Sequence, residues 1–133
     1  MKAIITYLSF DGNCREAMEF YKRCLGGELF IMPYSEAPGE FANVKDRIIH
    51  ATLRNPAGAI MASDAMPGST IQRGYGFSIS ISPESLEEAE RLFAYLSEKG
   101  KVTMELQDTF WGARFGMLTD RFGIQWMINF ERK

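Results

Sequence analysis

Ile4-Ile5-Thr6-Tyr7-Leu8-Ser9-Phe10-Asp11-Gly12-Asn13-Cys14-Arg15-Glu16-Ala17-Met18-Glu19-Phe20-Tyr21-Lys22-Arg23-Cys24-Leu25-Gly26-Gly27 is the stretch on which the fold turns. Residues 4–10 are rich in β-branched and aromatic types and alternate from Tyr7 onward, the pattern of a half-buried strand. Asp11-Gly12-Asn13 breaks that pattern. From Cys14 to Leu25, Ala17, Phe20, Tyr21 and Cys24 recur every three or four residues among Arg15, Glu16, Glu19, Lys22 and Arg23. One face is therefore apolar and the other charged, which predicts an amphipathic helix. Gly26-Gly27 ends it, because glycine adopts the left-handed backbone common just past a helix.

Working outward, strands are expected at about 28–34, 47–54 and 59–64, with a Pro/Gly/Glu-containing loop at 35–45 and a turn at Asn55-Pro56-Ala57-Gly58. The order is β-α-β-β-β. The second half repeats it: strand Tyr75–Ser82, helix from about Pro83 to Lys99 ending at Gly100, strand 101–106, loop Gln107–Gly112, strand 113–119, turn Asp120-Arg121-Phe122-Gly123 and strand 124–130. Glu16-Ala17-x-x-Phe20-Tyr21 corresponds to Glu88-Ala89-x-x-Leu92-Phe93 at an offset of 72, and the two turns correspond at an offset of 65. Modules of about 60 residues bury little core alone, so the two halves, about 3–65 and about 74–131, are read as one domain over 1–133. The predicted fold class is α+β: tandem βαβββ modules forming a curved, incompletely closed mixed sheet with the helices on its outer face.

Composition excludes several function classes. A net charge of −2 provides no basic field for a phosphate backbone, so nucleic acid is not an expected partner. No run reaches the roughly 18 apolar residues that span a bilayer, and the N-terminus lacks the apolar core of a signal peptide. Cys14 and Cys24 are too few and too close for a secreted disulfide framework, so a cytoplasmic protein is expected.

Alternate residues of a strand face opposite sides, and the split is informative. Leu8 and Phe10 oppose Tyr7 and Ser9; Phe77, Ile79 and Ile81 oppose Ser78, Ser80 and Ser82; Trp126, Ile128 and Phe130 oppose Gln125, Met127 and Asn129. In 47–54, Ile49, Ala51 and Leu53 alternate with His50 and Thr52, which puts the chain's one histidine on the polar set. A sheet covered by helices on one side leaves the other free to line a cavity with a few polar groups. A plain solvated sheet face is the competing reading.

The whole chain resembles the PhnB-like branch of the vicinal-oxygen-chelate (glyoxalase/bleomycin-resistance/dioxygenase) superfamily. The resemblance is carried by Tyr7-Leu8-Ser9-Phe10-Asp11-Gly12-Asn13-Cys14, Ala17-x-x-Phe20-Tyr21, Phe110-Trp111-Gly112-Ala113-Arg114-Phe115-Gly116 and Thr119-Asp120-Arg121-Phe122-Gly123-Ile124-Gln125-Trp126. It implies a homodimer with a site on the concave face. Metal-dependent relatives hold a divalent ion through residues on the first, third, fifth and eighth strands. Those positions correspond here to Ile5 or Thr6, His50, Gly76 or Phe77, and Met127. Only His50 is a good ligand, and Gln125 stands where PhnB-like chains often carry histidine. A catalytic divalent ion generally needs three or more protein donors, so no cofactor is expected and a divalent metal is disfavoured. Members of this branch are sometimes labelled demethylubiquinone methyltransferases. No glycines here form the G-x-G-x-x-G loop that would support that label.

His50 is the candidate catalytic residue, as a general base or hydrogen-bonding group. Tyr7, Ser9, Thr52, Trp111, Arg114 and Gln125 are the candidate ligand-binding residues. Trp111 either walls a pocket or plugs a core, and Arg114 either binds an anion or pairs with Asp108 or Glu105. Whether the protein is an enzyme stays open at this point. The leading expectation is a metal-independent protein that binds an unknown small molecule. The alternatives are a metal-dependent lyase, isomerase or dioxygenase, and a drug-sequestering protein of the bleomycin-resistance kind.

Overall fold

The computed structural model describes residues 1–34 and 47–132. The loop expected at 35–45 lies outside the described residues. The element order is β1 (Thr6–Phe10), α1 (Cys14–Leu25), β2 (Glu28–Pro33), β3 (Ile48–Asn55), β4 (Gly58–Asp64), β5 (Ile79–Ile81), α2 (Leu86–Ser97), β6 (Lys101–Asp108), β7 (Ala113–Thr119) and β8 (Gln125–Glu131). This is the doubled βαβββ order. Hydrogen bonding groups the strands into two four-stranded mixed sheets, β1-β4-β3-β2 and β5-β8-β7-β6, neither closed into a barrel. In each, the first strand pairs parallel with the fourth, and the remaining pairs are antiparallel. The chain falls into two compact units, Met1–Gln72 and Arg73–Lys133.

In the first unit α1 lies against β2, β3 and β4. Its periodic face, Cys14, Ala17, Met18, Phe20, Tyr21 and Cys24, is buried with Leu8, Phe10, Ile48, Ala51, Leu53, Ile60 and Ala62. Burial of each large apolar side chain contributes about 1.5–3 kcal/mol, which is why the helix registers on this face. In the second unit α2 lies against β6, β7 and β8, and Ala89, Leu92, Phe93 and Leu96 are buried with Leu118, Trp126 and Ile128.

Three local expectations change. The alternation placed Ile49 with Ala51 and Leu53, but the β2–β3 register shifts between Met32 and Pro33, which pair with His50 and Ile48. The extra residue is absorbed as a bulge, so Ile48 enters the core while His50 keeps its side. The strand expected over Tyr75–Ser82 contracts to Ile79–Ile81, with Tyr75 and Phe77 exposed. The carbonyl of Phe77 is taken instead by the Gln125 side chain, whose Nε2 donates to it at 2.6 Å. Helix α2 begins at Leu86 rather than Pro83 because Ser85, in extended backbone, caps it: Ser85 Oγ accepts from the Glu88 amide at 3.1 Å.

The repeat extends to side-chain detail. Asn55 Oδ1 accepts from the amides of Ala57 and Gly58, and Asp120 Oδ1 accepts from those of Phe122 and Ile124. Each turn is thus closed by the acidic or amide side chain that opens it. The glycine after each helix packs against the strand just before that turn. A Cβ on Gly27 would press into the Arg54 carbonyl oxygen, and one on Gly100 into that of Thr119.

Candidate functional site

In the first unit, parity decides which side chains share the face turned away from α1. Leu8 and Phe10 point into the core, so Tyr7 and Ser9 point out; Ala51 and Leu53 point in, so His50 and Thr52 point out. Tyr7 on β1 and His50 on β3 are separated by β4, and their side chains meet over it. The Tyr7 hydroxyl lies 3.1 Å from His50 Nδ1, with the two rings tilted at 35° and their centroids 5.7 Å apart. On the other side, His50 Nε2 lies 3.0 Å from Thr52 Oγ1.

The imidazole is therefore held at both nitrogens by neutral hydroxyls. A hydroxyl both donates and accepts, so either neutral tautomer is satisfied, with Tyr7 donating to Nδ1 while Nε2–H donates to Thr52, or the reverse. Such a chain can pass a proton along its length or offer either hydroxyl to a ligand. The surroundings are apolar and polarizable. The β-sheet register sets Met32 opposite His50, Phe30 opposite Thr52, and Met61 opposite both Tyr7 and Thr52. Tyr7 and Phe30 are about half exposed and Met32 somewhat less, so this is an open face. Ser9 shares it, in register with Ser63.

In the second unit, Gln125, Met127 and Asn129 occupy the corresponding face of β8, paired with Thr119, Met117 and Phe115 of β7. Trp111 stands in the turn before β7, more than half exposed, edge-on to Phe110 at 5.1 Å and to Phe115 at 6.0 Å. Because Phe115 is the partner of Asn129, Trp111 borders that same face. Gln125 is committed to the Phe77 carbonyl.

Arg114 does not join this group. Its register partner is Phe130, and it shares strand parity with Gly116 and Leu118, on the side toward α2. Of its two expected roles the geometry shows the ion pair: Arg114 Nη1 lies 3.3 Å from Asp108 Oδ1, the oxygen that Arg132 Nη2 also approaches at 3.2 Å. The sequence motif Phe110–Gly116 made Arg114 a neighbour of Trp111 along the chain, but a single step along a strand reverses the face.

Of the metal-ligand positions implied by the resemblance other than His50, Ile5 or Thr6 lies in the first unit and Gly76 or Phe77 and Met127 in the second, and none of these residues carries a carboxylate, imidazole or thiolate. Among the described residues no three His, Cys, Asp or Glu side chains cluster to hold a metal ion.

Two buried carboxylates escaped the sequence reading. Asp64 Oδ1 accepts from the amides of Gly12 at 2.7 Å and Cys14 at 3.1 Å, and Oδ2 from that of Ile48 at 2.9 Å. Asp120 Oδ2 accepts from the Trp126 indole at 2.8 Å. Both satisfy buried donors and hold turns and helix ends in place. The signal for Asp64 was present: it continues the inward parity of Ile60 and Ala62, where only a satisfied charge is tolerated. Neighbouring Cys14 is buried, and burial, with Asp64 adding to it against Arg15, pushes its thiol up to about 12. A thiol so held is no nucleophile at neutral pH.

The family model described as Glyoxalase/Bleomycin resistance protein/Dioxygenase superfamily matches residues 3–128. Protein YjdN of Escherichia coli (strain K12) is 38% identical over 135 residues, spanning 92% of this chain and 91% of that protein. The crystal structure of protein PA1353 from Pseudomonas aeruginosa superposes with a TM-score of 0.90 at 48% identity, covering 100% of both chains. A solved structure described as "Putative 3-demethylubiquinone-9 3-methyltransferase, PhnB protein, from Bacillus cereus" superposes with a TM-score of 0.81 at 27% identity, covering 97% of this chain and 99% of that one.

Proposed function

This chain belongs to the glyoxalase/bleomycin resistance protein/dioxygenase superfamily, and from that premise we propose that it is a PhnB-like small-molecule-binding protein that works without a divalent metal. The observation that carries the reading is the imidazole of His50 held between the Tyr7 and Thr52 hydroxyls on an open, largely apolar face. A few convergent polar groups set in apolar surroundings orient a small ligand by hydrogen bonds while the flanking surface supplies affinity. A ligand hydroxyl, amide or carboxylate takes the place of one hydroxyl partner at His50 or bonds to Tyr7 or Thr52 directly. Ser9 shares that face, and Trp111 and Gln125 border the corresponding face of the second unit. The metal-dependent lyase, isomerase or dioxygenase reading is disfavoured by the donor set rather than by the fold, since fold and chemistry are separable.

The test is a thermal-shift screen of small polar aromatics and organic acids, since a specific ligand raises the melting temperature by mass action. Hits are then mapped by amide chemical shifts. The expected result is perturbation centred on Tyr7, His50 and Thr52, with His50→Ala weakening binding about tenfold, the equivalent of one lost hydrogen bond to a polar ligand. Hits that map elsewhere, or bind His50→Ala unchanged, overturn the site. Near-stoichiometric zinc, nickel, manganese or iron in protein purified without added metal overturns the metal-independent reading. Both cysteines are free and buried, which suits the reducing cytoplasm proposed as its location. The homodimer implied by the resemblance is read by analytical ultracentrifugation.

A further inference from the structure

We propose that Met32, His50 and Met61 form a site for a soft monovalent cation, Cu(I) or its analogue Ag(I). The inference concerns the same face as the proposed small-molecule site but does not depend on it. It starts from the mismatch already described: the other divalent-ion positions carry no carboxylate, imidazole or thiolate. Two methionines stand on the face of His50 on the neighbouring strands. Met32 is its direct cross-strand partner on β2, and directly opposed residues hold their Cβ atoms about 4.5–5.5 Å apart. Met61 lies on β4, the strand that the Tyr7–His50 contact crosses, and pairs with both Tyr7 and Thr52, the two residues bonded to the imidazole. Met32 and Met61 thus sit on the two strands that flank β3 and on the face of His50, Met32 directly opposite it and Met61 one diagonal step away, where Cβ atoms lie about 7–8 Å apart or somewhat less.

Thioether sulfur and imidazole nitrogen are the donor pair that favours Cu(I), whereas carboxylate and water favour hard ions. All three donors are neutral, so a single positive charge can be taken up without a balancing carboxylate. Met32 is 39% exposed and His50 and Met61 are half-buried, which leaves a path for the ion. Methionine has three rotatable bonds, so its sulfur can swing toward the ring without backbone movement. His50 need release only one of its hydroxyl partners, and a neutral hydrogen bond of that kind contributes little net free energy.

The experiment uses the full chain with methionine methyl groups labelled, titrated with Ag(I) in chloride-free buffer and followed by methyl correlation spectra, with Zn(II) in a parallel series. Ag(I) is expected to shift the Met32 and Met61 methyl signals and the His50 ring protons, while Met104 and Met117 stay in place and Zn(II) has no effect. The near-isosteric double variant Met32→Leu/Met61→Leu is expected to weaken Ag(I) binding tenfold or more, on the order of the loss seen when groups around a metal are removed. Unmoved Met32 and Met61 signals, or equal Ag(I) affinity in the double variant, overturn the proposal and assign any uptake to Cys14 or Cys24. The wild-type methyl shifts need no variant, so a folding defect cannot mask the result. Failure here with small-molecule hits still mapping to Tyr7, His50 and Thr52 rejects the cation site alone.

Discussion

The two helices occupy the same place in the same repeat, yet their N-termini are satisfied in different ways. At α2 the solution is local: Ser85 Oγ accepts from the Glu88 amide, and Glu88 Oε1 accepts from the Glu84 amide at 2.8 Å. This is a near relative of the capping box, contained within five residues. At α1 the residue in the capping position, Asn13, makes no such bond with its side chain. Asp64, at the end of β4, reaches back instead and takes the Gly12 and Cys14 amides together with that of Ile48 on β3. Arg47 reinforces the same corner, its Nη1 donating at 2.7 Å to both Asp11 Oδ1 and the Ala65 carbonyl. One helix start is thus written into its own sequence, and the other exists only once β1, β3 and β4 have come together. A tertiary cap costs loop-closure entropy but couples the helix to the strands that carry Tyr7 and His50.

That contrast can be broken most forcefully at Asp64. Asp64→Ala removes the acceptor of three amides, two of them buried, and a loss of about 4 kcal/mol is expected from the desolvation of unpaired groups. Urea unfolding measures it, and hydrogen exchange should show the first turn of α1 opening while α2 is unchanged. Protection lost equally in both helices would defeat the comparison.

The glycines come next. Gly27 has φ +108° and its Cβ would meet the Arg54 carbonyl, whereas Gly100 meets the Thr119 carbonyl at an ordinary φ. Gly27→Ala should therefore cost about 3 kcal/mol and Gly100→Ala about 2, strain adding to overlap only in the first. Equal losses would show that backbone strain at Gly27 contributes nothing.

A smaller effect sharpens the contrast directly. Ser85→Ala should cost about 1 kcal/mol, the usual worth of a capping side chain, and Asn13→Ala less than about 0.5. Reversed values would mean that Asn13 caps α1 after all.

The smallest effect at neutral pH is at Cys14. Its folded thiol is raised to about 12 from an ordinary 9.0. A raised pKa makes the folded state hold its proton longer, so this contribution to stability is intact below pH 9 and is lost as pH rises from 9 toward 12. Iodoacetamide labelling at pH 8 should mark Cys14 only in unfolded protein. Rapid labelling of the native chain would contradict its burial.

The site was legible as far as alternation reaches. Tyr7, Ser9, His50 and Thr52 were assigned to one face because each opposes an apolar neighbour, and the structure brings three of them into contact. Arg114 left two roles open in the sequence, and its parity with Gly116 and Leu118 sets it on the other side of the sheet, where it pairs with Asp108. The bulge at Ile48–His50 was hidden because two consecutive isoleucines fit either register. Met61 stands on this face with no mark of it in the sequence, since methionine suits either side of a strand.

Periodicity, turn chemistry and the doubled Glu-Ala-x-x-apolar-aromatic and Asx-turn patterns determined the βαβββ repeat by themselves, because local hydrogen bonding and one-sided burial act over a few residues. Cross-strand register lay beyond them. Which hydroxyls reach the imidazole, which methionines share its face, and which carboxylate caps α1 depend on residues that lie tens of positions apart in the chain. Only pairing of the strands, driven by burial of the shared core, brings those residues within hydrogen-bonding distance.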